Sequence, residues 1–402
     1  MTGGFASRWL AGPEIKQTRL LPRSAPLEDT KQRVERFLPH IPVTRLADIS
    51  PLDTLSASVF CAVTPLARDL TTHMGKGPTA EAARVSAMME AVERISAETF
   101  SGRQQDATWS DLQRRGLRAV DPDRYVLPSD TGWSRDASVR WVEGWCLIQD
   151  HAIWMPADLA VSPPSEGLIH LVDTNGLASG NTRLEAVLHA LCEVIERDAI
   201  GQHTFVQAYG DPGEGPACPA IDPKSLPPAA NQLLLQLGAG SRQITLQDMT
   251  EDIPVPVVRA VLTDAAYPGV DGPGTRAFIG YGCDPCAEVA TIRAMTEAAQ
   301  ALLAVVQGAR DSFNESPPPH TALPGGEMVS FDALPNHETE DLAEDLVHIL
   351  DCLRAVGVPG VHAVDLTRPD WGLPVVRVRV PGLTSYLVDP SRQGWRCHRW
   401  LL

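Results

Sequence analysis

Three short segments of the chain carry carboxylate or amide side chains at a spacing that suits metal or nucleotide chemistry. Each follows the pattern Ala-x3-Ala-x2-Glu-x2-Glu/Gln, and the copies begin at Ala83, Ala186 and Ala290, which lie 103 and 104 residues apart. At about 100° per residue of an α-helix, the two alanines and the first glutamate share one face. We therefore expect three helices, each presenting acidic or amide oxygens beside a face that another backbone or a ligand can approach closely.

These oxygens would meet if the three helices pack together. They belong to Glu90 and Glu93 in the first helix, Glu193 and Glu196 in the second, and Glu297 and Gln300 in the third. Burial of unpaired carboxylates is costly, so a positive group is expected among them. Mixed carboxylate and amide ligands suit Mg²⁺, which binds through a few carboxylates together with substrate phosphates. We infer magnesium bridging a nucleotide; the alternative is three solvated helix faces.

Cationic side chains accompany the acids. Lys76 lies between two glycines, and Arg94, Arg197 and Arg293 lie near the glutamates of the three copies. Each could neutralise phosphate oxygens or pair with an acid; the pattern favours phosphate for Lys76 and leaves both roles open for Arg94 and Arg197. The sequence contains neither the Walker pattern GxxxxGK[ST] nor a GxGxxG opening a Rossmann unit, so the common nucleotide folds are not indicated.

His189 belongs to a polar ridge on the second predicted helix, together with Glu185, Glu193 and Glu196. These four side chains fall within an arc of roughly 80°. A histidine in that position is either a hydrogen-bonding partner of the acids or a catalytic group, and the sequence leaves the two roles open.

The elements that must position these residues follow a repeated order. Each predicted helix comes after a glycine-containing loop, at residues 74–77, 175–182 and 280–282, where backbone N–H groups can face an anion. Apolar runs bounded by Pro, Gly and Asp predict strands at 139–148, 255–263, 276–281, 361–366 and 374–380. We therefore predict an α/β fold of mixed sheets covered by long helices, with a divergent internal duplication.

Composition narrows the function classes. The 402 residues are 44% hydrophobic and carry a formal charge of −16, which argues against non-specific binding to nucleic acid or anionic membranes. No charged-then-apolar leader and no run of 18 apolar residues is present, so we expect a soluble, cytoplasmic protein. Eight scattered cysteines are expected to be reduced, with Cys283-x2-Cys286 in a turn between a strand and a helix.

The order of the motifs resembles the YcaO family over residues 60–385. The resemblance rests on three stretches: Gly75-Lys76-Gly77 followed by Ser86, Glu90, Glu93 and Arg94; Asn175 through Asn181 to Glu193, Glu196 and Arg197; and Arg293, Glu297 and Gln300. It implies an ATP-binding fold in which ATP with Mg²⁺ phosphorylates a backbone amide oxygen of a peptide, after which a nucleophile attacks that carbon.

The resemblance also assigns roles to individual residues. It implies metal or nucleotide positions at the six acidic and amide residues of the three motifs, with a further acidic position at Glu185. The residues expected around the phosphates, besides Lys76, are Ser86, Arg94, Asn175, Arg197 and Arg293. We take Glu193, Glu196 and His189 as the catalytic candidates.

The layout implies partners as well. We expect residues 1–59 to pack on the rest or face a partner, 60–385 to form the catalytic domain, and 386–402 to be a tail without the proline-rich end of azoline-forming members. This arrangement is similar to stand-alone members that work beside a TfuA-type protein and are associated with thioamide formation. The expected activity is thioamidation of a precursor peptide. The alternatives are azoline formation beside an E1-like peptide-binding partner and a non-catalytic ATP-binding accessory role, and a homodimer is left open.

Overall fold

Three β-sheets and eight helices form the part of the chain that the computed structural model describes, which is residues 12–211, 215–264, 277–308 and 328–402. The helices are α1 (Leu27–Phe37), α2 (Ala80–Ala97), α3 (Trp109–Arg114), α4 (Arg183–Tyr209), α5 (Pro228–Leu237), α6 (Ala287–Gln307), α7 (Leu342–Ala355) and α8 (Trp395–His398). The strands are β1 (Arg45–Asp48), β2 (Ser58–Val63), β3 (Thr72–Gly77), β4 (Gln104–Ala107), β5 (Val139–Cys146), β6 (His151–Pro156), β7 (Leu177–Ser179), β8 (Ala220–Ile221), β9 (Arg242–Asp248), β10 (Val257–Asp264), β11 (Ala277–Cys283), β12 (Met328–Val329), β13 (His362–Asp365) and β14 (Val375–Arg379).

Each long helix packs against its own sheet. The strand orders are β1-β2-β3, β11-β10-β9-β8-β12 and β4-β5-β13-β14-β7, with β6 also paired to β5. α2 packs on β3, α6 on β11 and β10, and α4 on β14 and β7. The predicted α/β fold is confirmed, and the five predicted strands correspond to β5, β10, β11, β13 and β14. The described pairings are antiparallel except that of β8 with β12, so only the five-stranded sheet is mixed.

The alanine face of two motifs meets the backbone of a strand. A Cβ on Gly75 in β3 would lie 2.2 Å from the carbonyl oxygen of Ala83 and 2.0 Å from the nitrogen of Ala87. A Cβ on Gly282 in β11 would lie 2.1 Å from the carbonyl oxygen of Ala290, the matching alanine of the third motif. Only glycine allows this approach. The β2–β3–α2 and β10–β11–α6 units therefore share one construction, which supports the predicted duplication; α4 follows the short β7 instead.

α4 runs through the interior for most of its 27 residues. Outside the polar ridge of Glu185, His189, Glu193 and Glu196, its apolar side chains cover most of the rest of the helix surface and pack on β14, α7 and the segment before β10. A helix that is apolar over most of its surface is buried, and the acids of the ridge are buried with it. This explains how the second motif reaches the centre of the molecule.

The N-terminal segment and the tail both pack on the body. Lys16 Nζ lies 2.5 Å from Asp345 Oδ2 in α7, and both side chains are buried. β1 and the start of β2 precede residue 60, so the three-stranded sheet crosses the predicted boundary at 59 and 60. Arg396 in α8 lies 2.7 Å from Asp198 at the far half of α4. The division into three domains stays a prediction.

α6 is the one helix within the described ranges that is long and apolar enough to cross a membrane, with a mean hydropathy of 1.4 over its best window. That window is 56% buried, and the helix carries Arg293 and Glu297. A buried core helix meets the same criteria, so this is weak evidence for a membrane span. All eight cysteines are free, and Cys283 and Cys286 flank the predicted turn between β11 and α6.

Candidate active site

A cavity of ≈ 720 Å³ lies between α2, α4, α6 and the N-terminal residues 17–30. Thirteen of the fourteen predicted site residues line it: Lys76, Ser86, Glu90, Glu93, Arg94, Glu185, His189, Glu193, Glu196, Arg197, Arg293, Glu297 and Gln300. The exception is Asn175. The three motifs, more than 100 residues apart in the chain, therefore converge on one site.

Negative charge is concentrated where α2 faces α4. Burial and the nearby charges of Glu193 and Glu90 raise the pKa of Glu93 to about 8, even though its carboxylate accepts a 3.0 Å hydrogen bond from the Ser179 N–H. Burial also raises the pKa of Glu193, against the effect of nearby arginines. A divalent cation between Glu93 and Glu193 would relieve this repulsion.

A second pair of acids joins α4 to α6. Burial and the charge of Glu297 raise the pKa of Glu196 to about 7. Glu297 itself forms a short salt bridge with Lys76 of β3, and although burial opposes it, this lysine lowers the pKa of Glu297 below its ordinary value. Lys76 thus pairs with an acid at the edge of the cavity, and its predicted contact with phosphate stays a prediction.

All three arginines among the predicted site residues have a buried N–H group without an acceptor in the described part of the chain. Arg94 lies 3.2 Å from Asp69 and 3.9 Å from Glu90, and Arg197 lies 3.9 Å from Glu193. The Nε atoms of both arginines are nevertheless buried without a hydrogen-bond partner among the described residues, as is that of Arg293. Buried donors of this kind need acceptors, and phosphate oxygens would supply them.

His189 is bonded to a cation rather than to an acid. Its Nε2 lies 2.8 Å from Nη2 of Arg293, which reaches across from α6. Burial, followed by the charges of Arg293, Arg23 and Lys76, holds the pKa of His189 well below its ordinary value. The partnership with the acids that the sequence suggested is therefore replaced by one with Arg293.

The N-terminal segment supplies a wall of the cavity that the motifs did not reveal. The Glu185 carboxylate accepts hydrogen bonds from the N–H and hydroxyl of Ser24 at 3.0 and 2.7 Å, from Arg23 at 3.3 Å and from Asn181 at 3.2 Å. Glu185 is only 3% exposed and anchors this segment. Its predicted role as a metal ligand stays a prediction. Arg23 and Ser24 lie about 160 residues away in the chain, and no sequence pattern links them to it.

Asn175 lies behind the cavity wall, which its neighbour Thr174 lines. Its backbone N–H donates to Asp173 Oδ1 at 2.9 Å, and the other oxygen of Asp173 accepts from Arg379 and Arg392 at 2.8 Å each. Burial would raise the pKa of Asp173, but the two arginines hold it well below its ordinary value. Asn175 thus belongs to the support of the loop, and its predicted phosphate contact stays a prediction.

The donor set suits a metal-bound nucleotide better than a metal held by protein alone. In the described ranges no three acidic, histidine or cysteine side chains are close enough to hold a metal ion by themselves. Mg²⁺ does not require such a set, because it keeps waters and binds through one or two carboxylates plus phosphates. The pairs Glu93 with Glu193 and Glu196 with Glu297 offer those carboxylates, and the arginine donors offer the phosphate contacts.

Known proteins are similar to this chain in sequence or in fold. An uncharacterised protein of Methanothermobacter thermautotrophicus is 35% identical over 377 residues, covering 89% of this chain and 93% of that protein. An uncharacterised protein in the tfuA 3′ region of Rhizobium leguminosarum bv. trifolii is 32% identical over 377 residues, covering 87% and 85%. The structure of YcaO from Methanopyrus kandleri bound with AMPPCP and Mg²⁺ matches with a TM-score of 0.74 at 25% identity, covering 96% of this chain and 98% of that one.

The family model described as YcaO cyclodehydratase, ATP- and Mg²⁺-binding, matches residues 74–384, a range that spans all three motifs. ATP and Mg²⁺ were the cofactors predicted from the sequence. With its site, its fold and its relatives in agreement, the chain belongs to the YcaO family, whose ligands are ATP and Mg²⁺.

Proposed function

We propose that this YcaO protein is an ATP- and Mg²⁺-dependent enzyme that activates a backbone amide of a peptide. The observation that supports this most is the convergence of acids from three helices with Lys76 and three arginines in one cavity. Acids and cations in such numbers suit a ligand that carries both a metal and several phosphates.

The chain has to position reactants and balance charge. A neutral amide is a poor electrophile because its nitrogen donates into the carbonyl. Bound ATP would supply the phosphoryl group that turns the amide oxygen into a leaving group. Positioning and electrostatic stabilisation dominate such reactions, so the residues that hold the triphosphate are the ones that matter most.

The division of labour follows the charges. Arg94, Arg197, Arg293 and Lys76 hold phosphate oxygens, with the Ser86 hydroxyl beside them. The metal ligands are drawn from Glu90, Glu93, Glu193, Glu196, Glu297 and Gln300, all of which line the cavity. Glu193 and Glu196 would help to hold the metal, because each belongs to one of the two pairs of neighbouring acids that a cation would stabilise.

The product that we propose is a thioamide, formed when an external sulfide attacks the activated carbon. The support is the relative encoded in the tfuA 3′ region, which is 32% identical to this chain. A TfuA-type protein is accordingly the partner that we propose for sulfur delivery. Azoline formation by a Cys, Ser or Thr side chain of the peptide is the second candidate, favoured by the description of the family as cyclodehydratases.

The test combines the purified protein, Mg·ATP, a sulfide source and a candidate precursor peptide, with and without a TfuA-type partner. A mass gain equal to sulfur replacing oxygen, coupled to ATP consumption, identifies a thioamide; loss of one water identifies an azoline. Glu193→Gln should abolish turnover, whereas Glu98→Gln, at the end of α2 outside the cavity, should not. Tight Mg·ATP binding without peptide-dependent ATP consumption would contradict the enzyme and favour an accessory protein.

A further inference from the structure

A hydrogen bond with Arg293 determines which ring nitrogen of His189 carries the proton. His189 lines the cavity from α4, and its Nε2 lies 2.8 Å from Nη2 of Arg293. A guanidinium group can only donate hydrogen bonds, because it has five N–H donors and no acceptor. Nε2 must therefore accept, and the hydrogen of the neutral ring lies on Nδ1.

The surroundings keep the ring neutral. A second proton would have to sit on Nε2, pointing at the Arg293 guanidinium. The charged groups around the ring include Arg23 from the N-terminal segment and Lys76 from β3, and together with burial they keep the pKa of His189 well below its ordinary range. Of the acids on its own helix, Glu185 accepts a hydrogen bond from Ser24, and Glu193 lies 3.9 Å from the Arg197 guanidinium. An imidazole in this setting cannot serve as a base through Nε2 without breaking its bond to Arg293.

The Nδ1–H group is the part of the ring left for a ligand. No described residue forms a hydrogen bond with Nδ1, and the side chain borders the cavity among Arg23, Lys76 and Arg293. Arg23 and Lys76 are paired with Glu185 and Glu297, whereas the Arg293 Nε–H has no acceptor among the described residues. The corner therefore offers an anionic oxygen both the Nδ1–H of His189 and a cationic donor. It is distinct from the side of the cavity where Glu93 and Glu193 lie close together.

We infer that His189 is a neutral hydrogen-bond donor that positions a phosphate oxygen of the bound nucleotide through Nδ1, with its tautomer set by Arg293, and that it is not a general base. The inference rests on the proposed function, since a nucleotide must occupy the cavity. A neutral imidazole donor of this kind holds an oxygen without changing its own charge during the reaction.

Two amide variants of His189 distinguish the role of Nδ1 from that of Nε2. Asparagine places its side-chain nitrogen two bonds from Cβ, where Nδ1 lies, and glutamine places its amide near Nε2. His189→Asn should therefore bind Mg·AMPPCP within about threefold of the wild type, whereas His189→Gln should bind roughly 10- to 150-fold more weakly, which is the range for losing a hydrogen bond to a charged group. Isothermal titration calorimetry measures both without turnover. His170→Asn and His170→Gln are the matched controls, because His170 is 44% exposed and outside the cavity.

Equal affinity of the Asn and Gln variants would overturn the inference. Wild-type affinity of both variants together with lost turnover would overturn it and indicate that His189 acts as a base. Two-bond ¹H–¹⁵N correlation spectra of ¹⁵N-histidine-labelled wild type give a second test that needs no variant to bind. They should show a neutral, Nδ1-protonated ring at pH 6 whose Nδ1 resonance shifts when Mg·AMPPCP is added. A neutral ring protonated on Nε2 would contradict the proposed Nδ1–H tautomer. If the wild type binds no nucleotide, the proposed function fails, and the spectra show separately whether the tautomer holds.

Discussion

Binding of Mg²⁺ with nucleotide should release protons from the cavity. The pKa of Glu93 is raised to about 8 and that of Glu196 to about 7, from ordinary values of 4.5. At pH 7 the first is therefore about nine-tenths protonated and the second about half. Metal ligation requires ionised carboxylates, so ionising both groups on binding at pH 7 should release between about one and one and a half protons. The affinity should rise up to about tenfold per pH unit for each proton released.

The same shifts set the pH dependence of stability without ligand. Because both folded-state pKa values lie above those of the unfolded chain, the two groups favour the folded state below about pH 4.5. That stability is lost as the pH rises through 7 and 8. Mg·AMPPCP should reverse the loss, since the cation replaces the repulsion between Glu93 and Glu193 with attraction.

The assay is calorimetric titration of Mg·AMPPCP at pH 7 in two buffers of different ionisation enthalpy. Glu93→Gln should reduce the proton release by most of one proton and weaken binding, because the amide cannot ionise. Glu98→Gln, at the C-cap of α2 and outside the cavity, should leave both unchanged. Identical heats in the two buffers, or unchanged proton release in Glu93→Gln, would contradict a raised pKa of Glu93.

Other parts of the structure give further expected outcomes. Gly75→Ala should destabilise the fold by at least about 3 kcal/mol in urea unfolding, since the new Cβ would lie 2.0 Å from α2 backbone, whereas Gly132→Ala, with nothing within 4 Å, should be nearly neutral. Lys76→Met should weaken Mg·nucleotide binding about tenfold or more, because a cationic phosphate contact is lost. The double variant with Glu297→Gln removes the acid that Lys76 pairs with, so it should recover thermal stability but not affinity. Recovery of affinity would contradict a phosphate contact of Lys76. Asp173→Asn should cost about 3–5 kcal/mol because two buried arginines lose their counter-charge. In the wild type this contribution, from a lowered pKa, should be present above about pH 4 and be lost in stronger acid; a variant as stable as wild type at pH 7 would contradict it.

The site residues in the helices could be predicted because spacing alone decides which side chains share a helix face. Glu90, Glu193 and Glu297 needed no long-range information beyond the expectation that three similar helices pack together. The sequence also predicted the alanine face of each helix, but it did not identify the strand that packs against this face. The structure shows that it meets the strand glycines Gly75 and Gly282, so the pattern records helix-to-strand packing as well as the position of the acids.

The contacts between distant segments could not be predicted. Arg23 and Ser24 meet Glu185 only because the N-terminal segment crosses the cavity, and nothing in their local sequence indicates that path. His189 was expected beside acids, yet Arg293 on another helix takes its Nε2. Periodicity places a side chain on a face, but the partner on the opposite face depends on tertiary packing.

We propose that the acids of α2, α4 and α6 hold a metal-bound triphosphate. Crystals grown with AMPPCP and Mn²⁺ in place of Mg²⁺ locate the metal by anomalous scattering, independently of any peptide. We expect an anomalous peak inside the cavity, within ligand distance of Glu93 and Glu193 or of Glu196 and Glu297. The phosphates should contact Arg94, Arg197 or Arg293. Metal bound only at the outer surface, or a nucleotide seated outside this cavity, would contradict it.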